Sequence, residues 1–308
     1  MKVFIFSHIA DCDGITPVIL SKLSFEHVDY KLLNNPIDKE FLDFVNNYDF
    51  SEYDAIYMID LCINEETLQQ LDNSFINKFR IFDHHIARNE MNKYDFIQVI
   101  EERNNIKESG TSLYYEYLRQ FFDNKLLRKN VTKEIVEIVR LADTFSWKEN
   151  EERNFALTDF LAIMGIEEYI NYFYNFILNN DEFYLEEKYK FLFEVENKRK
   201  FNYIEEKEKQ LIKAYIKPYN VGIIFAENYR SILGNELANR NKDLDFIIII
   251  NLSRSISYRG IKESINLSDF ASIYGGKGHK FASGSPLPDN IKELIIKTIF
   301  KEVEINEK

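Results

Sequence analysis

Residues 3–14, VFIFSHIADCDG, join an apolar run to a cluster of ionisable side chains. The four apolar residues at the start predict a buried strand. One histidine and two aspartates, His8, Asp11 and Asp13, follow directly after it. Carboxylates that converge at the end of a buried strand repel one another, and desolvating them without partners costs several kcal/mol each. Bound cations would remove that conflict, so the stretch is a candidate for metal binding, although by itself it is also typical of a polar turn.

The first half of the chain alternates short apolar runs with amphipathic stretches. This pattern favours an α/β fold in which a parallel sheet is covered by helices on both faces. Strands are predicted at 3–7, 27–33, 55–59, 79–82 and 96–100, and helices at 15–23, 65–71 and 112–122. Residues from about 131 to 180 have mostly helical spacing. Ligands of such sheets bind at the carboxyl ends of the strands, so the site is expected there.

The length of 308 residues is sufficient for two domains. A first, parallel-sheet α/β domain is expected over residues 1–183 and a smaller α/β domain over 218–308. Residues 184–217 are expected to form a helical linker between them. Its residues 184–213 are rich in charge and contain neither proline nor glycine, which is typical of a long solvated helix.

Net charge and hydropathy exclude several classes of partner. Acidic residues outnumber basic ones by 51 to 39, and the formal net charge of −12 repels long nucleic acids, so no stable complex with them is expected. A small anionic substrate remains compatible if metal ions locally reverse the field. No apolar run approaches the roughly 20 residues of a membrane helix, and the N-terminus does not resemble a signal peptide. We therefore expect a cytoplasmic protein without membrane contact.

The chain has two cysteines, Cys12 and Cys62, which are too few for a disulfide framework or a thiolate zinc cage. Both are predicted to be small buried residues. Of the five histidines, His27 lies in a segment without other candidate residues and is predicted to be structural.

Further ionisable residues follow the later strands. Asp60 follows the third predicted strand, Asp83, His84 and His85 follow the fourth, and Asp143 lies at the end of a helical stretch. Because the carboxyl ends of parallel strands meet at one edge of a sheet, the strand-end groups are expected to converge. Carboxylate oxygens and imidazole nitrogens without thiolate suit Mn²⁺ best, with Mg²⁺ or Zn²⁺ as alternatives. Two such ions about 3.5–4 Å apart would activate a water and clamp a phosphoryl group, which predicts hydrolysis of a phosphoester or phosphoanhydride.

Five motifs, in this order, resemble those of the DHH phosphoesterase superfamily with a C-terminal DHHA1 domain. They are SHIADCDG (7–14), MID (58–60), FDHH (82–85), LADTFSW (141–147) and GGKGH (275–279), and they span almost the whole chain. The resemblance implies a DHH domain in the first segment, a DHHA1 domain in the last, and two divalent ions, usually manganese, in the first domain. This chain departs from the usual pattern in two places: two residues separate His8 from Asp11, and Lys277 interrupts the glycines.

By position, the resemblance implies one ion held by His8, Asp11 and Asp60 and a second ion held by Asp13, Asp60, His84 and Asp143. Asp83 would accept a hydrogen bond that orients a histidine. His85 would contact the scissile phosphate or protonate the leaving oxygen. The nucleophile would be a hydroxide that bridges the two ions.

The second domain is expected to bind substrate through Arg259, Gly275, Gly276, Lys277, Gly278 and His279. The glycines would let main-chain amides approach a phosphate, and the histidine would donate to the same group. If a helix began near His279, its N-terminus would add favourable charge. The alternatives are an ordinary turn for the glycine motif, a solvent-facing Lys277 and a surface position for Arg259. Trp147 is predicted either to stack on a base or to pack in the core.

Together these observations predict a manganese-dependent phosphodiesterase that hydrolyses short oligoribonucleotides to mononucleotides, as in the oligoribonuclease (nanoRNase) branch, with pAp phosphatase as a second activity. A soluble phosphodiesterase for cyclic-di-AMP or pApA is the alternative enzyme. A metal- or nucleotide-binding sensor is the non-enzymatic alternative. The expected partner is therefore a short oligonucleotide or a nucleotide, and a homodimer is compatible with the resemblance because family members often dimerise.

Overall fold

The computed structural model describes residues 1–144, 146, 151–253 and 255–300, with the backbone alone for 151–156. The chain divides into two compact units, Met1–Phe193 and Glu194–Lys308. None of the described helices is long and apolar enough to cross a membrane.

The first unit contains a five-stranded parallel sheet with the strand order β2-β1-β3-β4-β5. Its strands are β1 (Lys2–His8), β2 (His27–Leu33), β3 (Ala55–Ile59), β4 (Phe79–Asp83) and β5 (Ile97–Val99), and a small hairpin follows, formed by β6 (Glu102–Arg103) and β7 (Ile106–Lys107). The helices are α1 (Cys12–Ser24), α2 (Asp38–Asn47), α3 (Glu65–Leu68), α4 (Asn73–Ile76), α5 (Gly110–Phe121), α6 (Asn130–Asp143), α7 (Glu151–Met164), α8 (Ile166–Asn179) and α9 (Glu187–Glu208). The division between the units falls within α9.

The parallel sheet is covered on both faces, as the sequence predicts. Val3 and Ile5 of β1 belong to one core, which α1, α5, α6 and α8 also line. Phe4 and Phe6 belong to a second core, to which α2 contributes Phe41. Successive strand residues point to opposite faces, so a continuous apolar run is what a strand buried on both sides requires.

The five predicted strands are confirmed to within one residue at each end. The helix α2 was not predicted, because its short sequence has a single fully buried apolar residue, Phe41. Within the predicted linker, α9 ends at Glu208 and a new strand, β8, begins at Ile212. The last part of that segment therefore belongs to the second sheet.

The second unit contains a mixed six-stranded sheet with the order β12-β13-β11-β10-β9-β8, in which β9 and β10 pair in parallel. Its strands are β8 (Ile212–Ile216), β9 (Tyr219–Phe225), β10 (Phe246–Asn251), β11 (Ser255–Gly260), β12 (Lys277–Gly278) and β13 (Ala282–Pro286), and its helices are α10 (Arg230–Arg240), α11 (Leu267–Ser272) and α12 (Ile291–Ile299). Ile247 and Ile249 pack in one core and Phe246 and Ile248 in another, so both faces are covered. The predicted α/β class, with a separate second sheet, is confirmed.

The start of α1 follows the end of β1 closely. Asp11 is the N-cap, and its side chain accepts a hydrogen bond from the main-chain N–H of Gly14 at 3.1 Å. This cap explains why α1 begins at Cys12, before its predicted start. A Cβ at Gly14 would overlap the carbonyl oxygen of His8, so only glycine fits.

Gly14→Ala is therefore expected to lower the free energy of unfolding by about 3 kcal/mol, since a helix and a strand must move apart. Urea unfolding followed by circular dichroism measures this loss. Ser24→Ala is a matched control on the last residue of the same helix. It removes one hydroxyl bond to the Leu20 carbonyl and is expected to cost less than about 1 kcal/mol. Equal losses for the two variants would contradict the steric argument.

Candidate metal centre

The carboxyl ends of β1, β3 and β4 lie side by side because the three strands are parallel neighbours. Ser7 pairs with Ile59, and Ile59 pairs with Phe82, so the residues that follow each of them emerge together. This register brings His8, Asp60 and the DHH motif to one edge of the sheet, as the sequence predicts for ligands of a parallel sheet.

The first cluster consists of His8, Asp11 and Asp60. Nδ1 of His8 lies 3.4 Å from Oδ2 of Asp11 and 3.3 Å from Oδ2 of Asp60. One possible ligand atom from each of the three lies within 4.8 Å of the others, a spacing that can hold a metal ion.

The second cluster consists of Asp13, His84 and Asp143, whose ligand atoms also lie within 4.8 Å of one another. Nε2 of His84 lies 3.2 Å from Oδ2 of Asp143 and 3.4 Å from Oδ1 of Asp60. Asp60 therefore contacts an imidazole of each cluster, one with each carboxylate oxygen. Asp60, Asp83, His84 and His85 form a third group with the same spacing.

Asp60 has an unusual backbone conformation for a residue other than glycine. Its φ angle is 58°, in the left-handed region, and it is 2% exposed. Its N–H donates to the carbonyl of Phe82 at 2.9 Å, which ties the turn to β4. Aspartate and asparagine tolerate this region better than most residues, and strained conformations concentrate at functional sites.

Asp13 is held by the first turn of α5. Its carboxylate oxygens accept from the main-chain N–H groups of Gly110 at 2.7 Å and Thr111 at 3.0 Å. The Thr111 hydroxyl also donates to the main-chain oxygen of Asp13 at 2.7 Å. Sequence reasoning missed Gly110 and Thr111, since a contact across 97 residues leaves no local pattern. The one available signal was Ser109, a good N-cap residue, which predicts where a helix begins but not what it contacts.

Three buried polar atoms in these clusters have no hydrogen-bond partner among the described residues: Oδ1 of Asp60, Nε2 of His84 and Oδ2 of Asp143. A buried polar atom without a partner costs about 1–3 kcal/mol. A divalent cation would give all three atoms a partner, and carboxylate and imidazole are its usual ligands. The residues present therefore fit a divalent metal centre.

The imidazoles of the two clusters have strongly shifted pKa values in the metal-free protein. Burial lowers the pKa of His8, but hydrogen bonds to Asp11 and Asp60 outweigh burial and raise it to about 10. Burial also lowers the pKa of His84, but Asp60 and Asp143 outweigh it and raise the pKa to about 10.

The carboxylates are shifted in both directions. Burial and the charge of Asp60 raise the pKa of Asp13 to about 7. Burial and the charge of Asp13 raise the pKa of Asp143 well above its usual range. Burial acts against ionisation of Asp60 too, yet His8 and His84 hold its pKa below the usual range. The metal-free site thus retains protons that a metal ion would displace.

Stabilisation by a divalent metal is therefore expected to grow with pH. Imidazoles whose pKa rises from 6.5 to about 10 on folding stabilise the metal-free fold below pH 6.5, and this contribution disappears as the pH approaches 10. The raised pKa of Asp13 also makes the metal-free fold less stable as the pH rises. Above about pH 7 Asp13 is ionised in the folded protein, where its charge is unfavourable. Metal binding displaces these protons, so its affinity rises with pH.

Thermal unfolding in Mg²⁺ and in EDTA measures this effect, and we expect the metal to raise the Tm several degrees more at about pH 8 than at about pH 6. Asp60→Asn should remove most of the difference, because this residue contacts both clusters. An equal or smaller shift at the higher pH would contradict the assignment of His8 and His84 as ligands.

His85 is oriented by Asp83. Nδ1 of His85 lies 2.8 Å from Oδ1 of Asp83, which also accepts from the main-chain N–H of His84 at 2.8 Å. Asp83 is 1% exposed, whereas the His85 side chain is 46% exposed. Burial lowers the pKa of His85, but Asp83 raises it above its usual value. The structure thus places Asp83 behind His85 and leaves the ring accessible to solvent.

The glycine motif of the second unit lies at a strand turn. Lys277 and Gly278 form β12, and the chain turns back into β13 at once, so no helix begins near His279 to add its N-terminal charge. A Cβ at Gly276 would overlap the Gly284 carbonyl oxygen, and Gly278 has a φ of 146°. Close packing of strands therefore explains these two glycines. Gly275 also has a positive φ, of 70°.

The other candidate substrate residues of the second unit lie around the same turn. Arg259 pairs with Ala282 across β11 and β13, and the main-chain N–H of His279 donates to the Ala282 carbonyl at 2.8 Å. Lys277 and His279 are exposed. The Arg259 guanidinium donates to the Ser231 hydroxyl at 3.1 Å. Burial and the nearby charge of Arg230 lower its pKa.

The two cysteines, His27 and Trp147 are the remaining residues that the sequence singled out. Cys12 and Cys62 are buried, as predicted, and burial raises the pKa of the Cys12 thiol to about 12, which keeps it protonated. His27 is exposed on the edge strand β2. Trp147 lies outside the described residues.

The fold and the paired ligand clusters define a protein of two α/β units with a candidate dimetal centre at the edge of its parallel sheet. Residues 2–142 match the family description "DHH family, N-terminal domain". The chain is 30% identical over 310 aligned positions to oligoribonuclease NrnB of Bacillus subtilis (strain 168), and the match covers 96% of this chain and 76% of that protein. The chain belongs to the DHH family.

Two solved structures share the fold at low sequence identity. The pGpG-specific phosphodiesterase PggH from Vibrio cholerae is 14% identical with a TM-score of 0.54, and the match covers 98% of each chain. The DHH domain of a protein from a family of ribosomal proteins is 12% identical with a TM-score of 0.60, and the match covers 97% of this chain and 87% of that one.

The family match and the likeness to an oligoribonuclease over almost the whole chain make the protein a phosphodiesterase. DHH enzymes depend on divalent metal ions, and the clusters around Asp60 are the acidic and imidazole groups that can hold them. The predicted family and enzyme class are therefore confirmed.

Proposed function

We propose that the protein is a manganese-dependent phosphodiesterase that hydrolyses short oligoribonucleotides to mononucleotides. The single observation that supports this proposal most strongly is the pair of ligand clusters that both contact Asp60. A carboxylate shared by two sets of ligands would hold two ions close together, as two-metal hydrolysis of a phosphoester needs.

One ion would be held by His8, Asp11 and Asp60, and the second by Asp13, Asp60, His84 and Asp143. When bound, such ions lower the pKa of a coordinated water and neutralise charge on the phosphoryl group. The donor set contains oxygen and imidazole nitrogen without thiolate, which favours Mn²⁺ over Zn²⁺. Mg²⁺ is the closest competitor because carboxylates dominate the set.

His85 would transfer a proton to the leaving oxygen. With Nδ1 bonded to Asp83, its proton is held at that nitrogen, and Nε2 is the position from which the ring can contact substrate. Asp83 stabilises the protonated ring, since it raises the pKa of His85. A histidine whose pKa is raised in this way holds its proton more firmly than a free imidazole and is suited to protonate a departing alkoxide.

The preference for short RNA is supported by sequence likeness and charge. The Bacillus subtilis relative, named an oligoribonuclease, aligns over almost the whole chain. The net charge of −12 disfavours long polyanions. The side chains of Arg259, Lys277 and His279 would bind a substrate phosphate, with Gly275, Gly276 and Gly278 shaping the turn that carries them. Hydrolysis of pAp is the second activity that we propose.

A substrate panel tests this function. The purified protein is incubated with Mn²⁺ and labelled di- to pentaribonucleotides, a long RNA, pAp, cyclic-di-AMP, pApA and pGpG, and then with Mg²⁺ or Zn²⁺ instead. We expect mononucleotides from the short RNAs, fastest with Mn²⁺, and little product from the long RNA. Preferential cleavage of cyclic-di-AMP or pApA would replace the proposal with a dinucleotide phosphodiesterase. Nucleotide binding without any turnover would indicate a sensor.

A further inference from the structure

The first turn of α5, residues 109–112, contacts both ligand clusters. We call these residues the α5 turn. It follows the parallel sheet in sequence and contains none of the residues that the motifs indicate. Its main-chain N–H groups face Asp13, and its glycine packs against Asp60. No other turn described above touches the second cluster and the shared carboxylate together.

The α5 turn holds Asp13 by both its carboxylate and its main-chain oxygen. Its two carboxylate oxygens each accept one main-chain N–H, from Gly110 and Thr111, so the plane of the carboxylate cannot rotate freely. The Thr111 hydroxyl holds the main-chain oxygen of Asp13 at 2.7 Å. Asp13 is 1% exposed, so water does not replace these donors. The oxygens retain lone pairs for a further ligand, because a carboxylate offers about four.

The contact with Asp60 is steric. A Cβ at Gly110 would lie 2.7 Å from the main-chain N, Cα and Cβ of Asp60, closer than such atoms approach in proteins. The backbone of the α5 turn thus lies directly against the left-handed residue at the end of β3. Any side chain at Gly110 would push Asp60 away from its present position.

The α5 turn is itself rigidly held. Ser109 and Ser112 form a reciprocal capping box, in which each side chain bonds the main chain of the other. The Ser112 hydroxyl also donates to Glu108 at 2.6 Å, and all three residues are buried. Neither serine nor Glu108 belongs to the ligand clusters. This network holds the turn through bonds that involve neither Asp13 nor Asp60.

We propose that the α5 turn sets the spacing between the two ligand clusters and that Thr111 is a positioning residue for the metal centre. The inference rests on the proposed function only in requiring that the clusters bind metal. Changes in residues that orient metal ligands typically weaken metal binding about 10- to 100-fold. The same range is expected here, confined to the ion at Asp13.

Mn²⁺ binding to the metal-stripped full chain tests the proposal, with electron paramagnetic resonance to detect coupling between two bound ions. Thr111→Val removes the hydroxyl at nearly constant shape, and we expect the weaker Mn²⁺ dissociation constant to rise about 10-fold and the coupling signal to change. Thr111→Ser keeps the hydroxyl and should restore both. Thr111→Ala is the second variant, in case the valine methyl prevents folding.

Ser112→Ala is the matched control, because it removes the Ser112 half of the capping box, with its hydroxyl bonds to Ser109 and Glu108, without touching Asp13 or Asp60. It should lower the Tm but leave Mn²⁺ affinity within about twofold, since a lost hydrogen bond costs roughly 1 kcal/mol of stability. Wild-type affinity and coupling in both Thr111→Val and Thr111→Ala, or equal weakening in Ser112→Ala, would overturn the positioning role while the wild type still binds two ions. Absence of Mn²⁺ binding by the wild type would instead contradict the proposed function and with it this inference.

Discussion

Asp60→Asn is expected to lower the rate of hydrolysis about 1000-fold, because loss of a shared metal ligand removes several kcal/mol of transition-state stabilisation. Each carboxylate oxygen of Asp60 faces one imidazole, that of His8 or His84. The amide of asparagine has the same shape but no charge, so neither cluster keeps its shared anion. Asparagine also tolerates the positive φ of this position, and the fold should therefore be retained.

The measurement is kcat with a diribonucleotide and saturating Mn²⁺, together with circular dichroism and Tm to verify folding. Asp29→Asn is the matched control. Asp29 is a carboxylate of the same unit, on the edge strand β2, where it accepts a hydrogen bond from Tyr53 at 2.6 Å. The control should keep nearly full activity. If Asp60→Asn retained more than about a tenth of the wild-type rate, its assigned role would be wrong.

His85→Ala is expected to lower kcat about 100- to 10,000-fold, the usual range for a positioned proton donor. Binding of Mn²⁺ should change little, because Nδ1 of His85 is already bonded to Asp83 and the ring lies outside the two clusters that share Asp60. Kinetics on a diribonucleotide and Mn²⁺ titration of the same preparations separate the two effects.

The alternative for His85 is a direct metal ligand, since Asp60, Asp83, His84 and His85 could together hold an ion. In that case His85→Ala would lose Mn²⁺ affinity and activity in parallel. His27→Ala, at an exposed histidine of the edge strand β2, controls for loss of an imidazole from this unit and should behave like the wild type.

Much of the site could be predicted from the sequence because its residues follow strands of one parallel sheet. Once β1, β3 and β4 are neighbours, His8, Asp60 and His84 must emerge at the same edge. The two-residue gap between His8 and Asp11 is unusual for the family pattern, yet the N-cap position of Asp11 still leaves its second oxygen 3.4 Å from the imidazole. Local spacing and strand direction were therefore sufficient to predict that these residues lie close together.

Other features depend on contacts between distant segments and left no local pattern. The hydrogen bonds of Asp13 with Gly110 and Thr111 form only when α5 packs on the sheet, and the left-handed conformation of Asp60 accompanies a hydrogen bond to Phe82 of β4. The glycines of the second unit also have a packing role that the sequence does not indicate. Gly276 is required by close contact with β13, which forms only when the two segments pair.

Anomalous scattering at the manganese edge, from crystals of the protein grown with Mn²⁺, tests the central claim most directly. We expect two manganese peaks on opposite sides of the Asp60 carboxylate, one near His8 and Asp11 and the other near Asp13, His84 and Asp143. A single peak away from Asp60, or no peak at these residues, would contradict the dimetal centre and the mechanism that we derive from it.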